Sequence, residues 1–180
     1  MSAQLPSPAR IARLSDLDLA VCRCFNSAGE RRVIERLFAV VSRLGDGVFW
    51  YSLMAVILAW EGLPALMAVA RMLLAGGLGL ALYKWLKRRT LRPRPCTRSP
   101  AIRVTVAPLD EFSFPSGHTL HAVAFTVVAV AHYPGLLWLL LPFTVLVAVS
   151  RLVLGLHYPS DVLAGALLGG GLASLVLGLA

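Results

Sequence analysis

Acidic residues are scarce in this chain: Asp and Glu number 9 against 17 Lys and Arg in 180 residues, a formal charge of +8. Charged residues of both signs make up only 14%, where a water-soluble domain carries about 25%. An ordinary soluble domain is thereby excluded, because much of this surface does not face water. A basic excess suits anionic partners: nucleic acid, anionic headgroups or a phosphorylated molecule. The cations are not spread over a soluble face, which argues against nucleic acid. Cysteine is also rare. Cys22, Cys24 and Cys96 are odd in number and lack framework spacing, which excludes a disulfide scaffold. Cys22 and Cys24 have no second pair to complete a metal site, so they read as small helix residues. A cleavable leader is not expected, since residues 1–14 are polar, contain Pro6 and Pro8, and have no apolar stretch behind them.

Apolar residues, at 58%, fill the space that charge leaves. Residues 15–44 mix Leu17, Leu19, Val21, Phe25, Val33, Leu37, Val40 and Val41 with Arg23, Arg31, Arg32, Arg36 and Arg43. They predict one or two amphipathic helices broken near Asn26 to Gly29, lying at the membrane interface or leading into the first span. Gly45-Asp46-Gly47 reads as a turn. The apolar stretch 47–60 reaches the roughly 20 residues of a span only if its helix begins upstream of Gly45. Residues 64–83, 119–133, 136–149 and 162–180 are the other predicted spans, with Pro134-Gly135 as a hairpin turn. Gly165, Gly169, Gly170 and Gly171 give the last a face for close helix approach. Arg71 lies near enough to a span end to snorkel. The expected fold is all-α: an integral membrane helical bundle of five to six transmembrane helices with an N-terminal amphipathic segment. It forms a single domain, 1–180, divided into an interfacial region 1–44 and a bundle 45–180.

Three polar clusters interrupt this apolar pattern. Lys87-x6-Arg94-Pro95 closes the span 64–83; alone, a basic run there is a topological signal. Pro115-Ser116-Gly117-His118 opens the next span. Pro and Ser favour helix starts, and free N–H groups at the positive end of a helix dipole form an anion site. Gly117 allows close approach of an anion to the backbone. Ser150-Arg151-x5-His157-x3-Asp161 joins the end of one span to the start of the last. Asp161 is placed to cap that helix, and a carboxylate one turn from His157 can accept from one imidazole nitrogen and free the other. Arg151 can grip phosphate oxygens with its planar fork. If the spans cross alternately, all four helix ends meet on one side of the membrane.

The ordered triplet resembles the type 2 phosphatidic acid phosphatase superfamily, which also includes vanadium haloperoxidases. Every position of its Lys-x6-Arg-Pro, Pro-Ser-Gly-His and Ser-Arg-x5-His-x3-Asp pattern is matched between residues 87 and 161. The soluble haloperoxidase branch is disfavoured by the hydrophobicity of this chain. The resemblance implies a bundle of usually six spans and a phosphatase of membrane lipids. In that scheme Lys87, Arg94 and Arg151, with Ser116 and the Gly117 N–H, hold the phosphoryl oxygens. His157 attacks phosphorus, Asp161 orients His157, and His118 protonates the leaving oxygen and then activates water. His121 and His132 receive no role. No metal or other cofactor is needed. The implied partners are the lipid bilayer and a phosphorylated lipid: undecaprenyl pyrophosphate, phosphatidylglycerol phosphate, phosphatidate or lipid A. The implied location is the bacterial inner membrane with the site facing outward, although the positive-inside rule pulls segment 84–103 the other way. A lipid phosphotransferase using the same phosphohistidine, and a non-catalytic lipid-binding or transport protein, are the other readings of these residues. The oligomeric state has no signature in the sequence.

Overall fold

A computed structural model describes residues 8–108 and 110–179, with side chains from residue 15 onward. Segment 1–7, part of the stretch expected to hold no leader, lies outside the described residues. Among the described residues there is no strand. Among the described residues eight α-helices follow one another: α1 (Pro8–Ala28), α2 (Arg32–Arg43), α3 (Phe49–Glu61), α4 (Leu66–Thr90), the short α5 (Pro95–Arg98), α6 (Gly117–His132), α7 (Leu137–Val153) and α8 (Pro159–Leu177). Among the described residues four runs are long and apolar enough to cross a membrane: Arg32–Glu61, Leu63–Arg98, Pro134–Val153 and Pro159–Leu177. Helix α6 is apolar too but shorter, at 16 residues.

The first of these runs decides between the two sequence-level alternatives. The helix does begin upstream of Gly45, at Arg32, so α2 and α3 form one 30-residue run. The predicted turn at Gly45-Asp46-Gly47 is instead a kink. A π-helical segment, Leu44–Val48, joins the two helices, with Gly47 at φ 119°. Such a φ is costly for a residue with a Cβ, and a one-turn π segment bends a helix without ending it. Gly45 is needed for a different reason: a Cβ there would stand 2.7 Å from Val147 Cγ2 of α7.

Helix α6 is the central element. Sixteen residues rise about 24 Å, short of a bilayer core of about 30 Å. The shortfall is tolerable because α6 is sheathed by protein: Leu120, Ala122, Ala124, Phe125, Val128 and Ala129 are all buried. Its closest neighbour is α8, whose glycines face it. A Cβ on Gly165 would lie 2.5 Å from the Ser116 carbonyl oxygen, and one on Gly169 would lie 2.3 Å from that of Leu120. The obstacle in both cases is backbone, which cannot rotate away. Gly165→Ala therefore has to separate α6 from α8 at Ser116. It should cost at least the 1–3 kcal/mol typical of overpacking and lower activity as well, read as a fall in melting temperature and phosphate release in detergent. An unchanged melting temperature would mean that the helices do not touch there.

The outward surface is apolar, as a lipid-facing surface must be. Trp60, at the end of α3, and Trp138, at the start of α7, are among its most exposed side chains. Both lie at helix ends away from the three polar clusters, where indole rings settle at a membrane interface. Helix α1 does not behave as a free interfacial helix. Leu19 and Cys22 are buried against Ile102 and Tyr158. Asn26 donates to the carbonyls of Arg103 and Val153, each at 2.9 Å, and accepts the Arg103 N–H. Cys22 is thus a packing residue, as its spacing implied. Arg71 does not stand alone either, since its Nη1 is 3.2 Å from His132 Nε2.

Candidate active site

The ends of α4, α6, α7 and α8 converge on one side of the bundle. The first cluster begins inside α4. That helix continues past the predicted span end at residue 83 as far as Thr90, because Lys84, Lys87 and Arg88 are good helix formers. Leu91, at φ 48°, then turns the chain. Lys87 and Arg94 are both buried. Lys87 Nζ donates to Asp110 Oδ1 at 2.6 Å and to the Phe112 carbonyl at 2.9 Å. Arg94 Nη2 donates to the same Asp110 oxygen at 2.6 Å, and its Nη1 to the Leu156 carbonyl at 2.6 Å. Asp110 was not singled out in the sequence, where it is one acid in a long polar loop. Partial burial pushes its carboxyl up, but the hydrogen bond and charge of Lys87 and the charge of Arg94 outweigh this and hold it below the ordinary carboxylate range. Two buried cations thus converge on one anion.

The second cluster starts α6 as expected, with Ser116 at the N-cap. Ser116 Oγ lies 3.0 Å from Thr119 Oγ1, and its N–H donates to the Asp161 carbonyl at 3.0 Å. That N–H is therefore occupied in tying α6 to α8, whereas Gly117 and His118 line the cavity. His118 Nε2 stands 3.3 Å from Asp46 Oδ1. The kink after α2 is what brings that carboxylate across the cavity, so a residue that reads locally as turn chemistry becomes the partner of a histidine. His121 bridges α6 to α4, with Nδ1 at 3.0 Å from the Gly117 carbonyl and Nε2 at 3.0 Å from that of Gly76.

The third cluster ends α7 and starts α8. Arg151 is buried; its Nη1 donates to Ser42 Oγ, and its Nε has no partner. Among the described residues no carboxylate pairs with it. His157 is buried as well, and its Nδ1 lies 3.6 Å from Asp161 Oδ2. That is longer than a hydrogen bond, within the range that tightens when a ligand fills a site. Burial, followed by the charges of Arg151, Arg94 and Lys87, pushes the His157 imidazole well below the usual histidine value. It is accordingly neutral at physiological pH. Asp161 is fully buried, takes the Tyr158 N–H at 2.9 Å on Oδ2 and pairs with Arg92 on Oδ1.

Lys87, Arg94, Gly117, His118, Arg151 and His157 thus face one cavity of about 780 Å³, while Ser116 and Asp161 stand behind its wall. The cavity runs from the cations along Leu73, Gly76, Gly77 and Leu80 of α4, opposite Gly47, Trp50 and Tyr51. One end is cationic and the other apolar. Among the described residues, no three His, Cys, Asp or Glu side chains cluster as metal ligands would.

Similarity to known proteins follows the same outline. The chain is 28% identical to a transmembrane PAP2 type phosphatidylglycerolphosphate phosphatase from Bacillus subtilis, with a TM-score of 0.74 over 93% of this chain and 86% of that one. It is 27% identical to Aquifex aeolicus LpxE, with a TM-score of 0.79 over 90% of this chain and 95% of that one. In sequence it is 36% identical over 129 residues to the decaprenylphosphoryl-5-phosphoribose phosphatase of Mycobacterium tuberculosis, covering 67% of this chain and 68% of the relative. The model of the PAP2 superfamily matches residues 64–179, a stretch that contains all three clusters and the four helices presenting them, and the chain belongs to that family.

Proposed function

We propose that this chain hydrolyses a membrane lipid phosphate or diphosphate, of the polyprenyl or glycerolipid kind, through a phosphohistidine on His157. The observation that carries this reading is the cavity itself, in which buried cations and a neutral histidine share one end and an apolar wall forms the other. Two of the relatives named above are a decaprenylphosphoryl-5-phosphoribose phosphatase and a phosphatidylglycerolphosphate phosphatase, which keeps both polyprenyl-linked and glycerolipid substrates as candidates. Residues 1–180 act as one domain. The proposed location is a bacterial inner membrane with the cavity opening on the outer face.

The steps follow from the geometry. Lys87, Arg94, Arg151 and the Gly117 N–H take the phosphoryl oxygens, and the phosphate displaces or shares the place of the Asp110 carboxylate. Asp161 faces Nδ1 of His157, which leaves Nε2 as the attacking atom. Its lone pair forms the N–P bond as the P–O bond to the lipid breaks, and His118, held by Asp46, gives its proton to the departing oxygen. His118 then takes a proton from water, whose oxygen attacks phosphorus. The N–P bond breaks and inorganic phosphate leaves. Ser116 contributes by fixing the start of α6. Phosphoryl transfer depends mainly on positioning and charge stabilisation, which a buried cation cluster supplies.

The test is phosphate release by the detergent-purified protein, with EDTA present, from a polyprenyl pyrophosphate, phosphatidate and phosphatidylglycerol phosphate, beside a His157→Ala control. Release by the parent alone is the expected result. Labelled acceptor lipid without free phosphate would favour the phosphotransferase reading, and neither product would favour a binding protein. The apolar wall makes a separate prediction. A Cβ on Gly77 meets nothing within 4 Å, and the residue lines the cavity. Gly77→Phe should therefore fill the apolar end and raise KM for a long-chain lipid by about tenfold, the scale of one apolar contact. Turnover of para-nitrophenyl phosphate should change less than about twofold. Equal loss on both substrates would remove the acyl chain from this wall.

A further inference from the structure

Arg92 is one of the unspecified residues between Lys87 and Arg94 of the first cluster, and Asp18 lies outside the stretch matched by the family model. Yet both are built into the back of the candidate site. Arg92 Nη1 donates to Asp161 Oδ1 at 2.6 Å and to Ser160 Oγ at 2.7 Å, while Nη2 donates to Asp18 Oδ2 at 2.6 Å. The guanidinium lies 4.1 Å from the centre of the Tyr158 ring. Asp18 accepts the Ser160 N–H at 3.0 Å on its other oxygen, and the Ser160 hydroxyl as well. A carboxylate from α1 therefore caps the first turn of α8, 142 residues away.

The chemistry explains why such a chain of charges belongs there. Asp161 is fully buried, and a lone carboxylate in that position would be expensive to keep ionised. A neutral carboxyl could not counter the positive charge that His157 acquires on bonding to phosphorus. Arg92 supplies the compensating charge on the oxygen that faces away from His157. Its planar fork fixes the carboxylate in orientation as well as in charge. Asp18 holds the other side of that fork, so Arg92 cannot swing toward the phosphate cradle. The strained Leu91, in the left-handed region at φ 48°, is the turn that directs Arg92 inward.

We propose that Arg92 and Asp18 are positioning residues, which hold Asp161 and through it His157, so that helix α1 is an integral part of the catalytic centre. The proposal rests on the reading of His157 and Asp161 given above.

A double-mutant cycle on the full chain in detergent, with dioctanoyl phosphatidate as substrate, tests it. Arg92→Gln should lower kcat about 10- to 100-fold, the scale of losing an outer hydrogen-bond partner that orients a metal-binding histidine. KM should stay within about threefold, since Arg92 is not among the residues lining the cavity. Arg92→Lys should recover part of the rate, and Asp18→Asn should lose less than Arg92→Gln. In an Asp161→Asn background, Arg92→Gln should cost less than about twofold more, because the charge it serves is gone. Full, multiplying losses in that background overturn the proposal, because Arg92 would then act elsewhere. An Asp161→Asn enzyme with the parent kcat removes the underlying reading itself, a distinct result that also overturns it. Should Arg92→Gln fail to yield folded protein, the same cycle run with Asp18→Asn decides the matter.

Discussion

Replacing His157 by Gln should abolish turnover, with kcat falling by at least about 10⁴-fold, as loss of a covalent nucleophile does elsewhere. Glutamine keeps much of the volume and polarity of the imidazole, so the buried site should stay filled. Protein quenched in alkaline detergent, after brief exposure to ³²P-labelled phosphatidate, should carry label in the parent and none in the variant. The label should be acid-labile and base-stable, the behaviour of an N–P bond. A variant that still released phosphate at the parent rate would remove His157 from the chemistry. The same residue makes a prediction about stability. Its imidazole titrates well below the usual histidine value because burial and then three cations oppose its charge. In the unfolded chain it takes a proton near pH 6.5. As pH falls below that value the unfolded state gains a proton that the native state refuses, so the stabilisation present above pH 6.5 is lost progressively toward the folded pKa. The slope is at most about 1.4 kcal/mol per pH unit. Between pH 7.5 and 5.5 the parent should lose more of its melting temperature than His157→Gln. Identical pH dependence in the two would mean that His157 is not held neutral.

Arg151→Met should cost about 10²- to 10³-fold in kcat/KM, the range for removing one donor aimed at transition-state charge, without lowering the melting temperature. Arg151 is buried, its Nε is unpartnered, and its visible polar partner is the Ser42 hydroxyl. A buried cation with no carboxylate is a burden on the fold. An apolar chain of similar length relieves that burden while removing the grip on phosphate. Arg151→Lys should restore only part of the rate, because an ammonium cannot reproduce the two-pronged geometry. Lys87 and Arg94 differ in this respect, since both already share Asp110. Removal of either would take one of two partners from that carboxylate and destabilise the protein as well. Paired measurements of melting temperature and kcat/KM would separate the two classes. A parallel fall of both in Arg151→Met would make Arg151 a structural residue.

How much of this was legible in the sequence varies with the range of the contact involved. The start of α6 at Pro115-Ser116-Gly117 is local chemistry, a preferred cap followed by an apolar run, and it reads directly. The glycine face of α8 reads directly too, although only the structure assigns α6 as its partner. The predicted span stops at residue 83, where hydropathy falls at Lys84, whereas the helix itself runs on to Thr90. Asp46 was read as a turn residue, since Gly-Asp-Gly has the composition of a turn, and the kink that carries its carboxylate to His118 has no distinct local signal.

By itself the sequence determined the apolar helical class, the order of the spans and the residues able to handle phosphate. These follow from composition, from periodicity and from short motifs whose members lie within a few turns of one another. The tertiary structure alone decided which charge meets which. Asp110 joins Lys87 to Arg94, Asp46 faces His118, and Asp18 reaches Arg92 and Ser160 across most of the chain. The physical reason is that a carboxylate on a helix looks the same to its neighbours in sequence whether it meets water or a buried guanidinium. Only packing the helices sets the burial that makes such a pair matter.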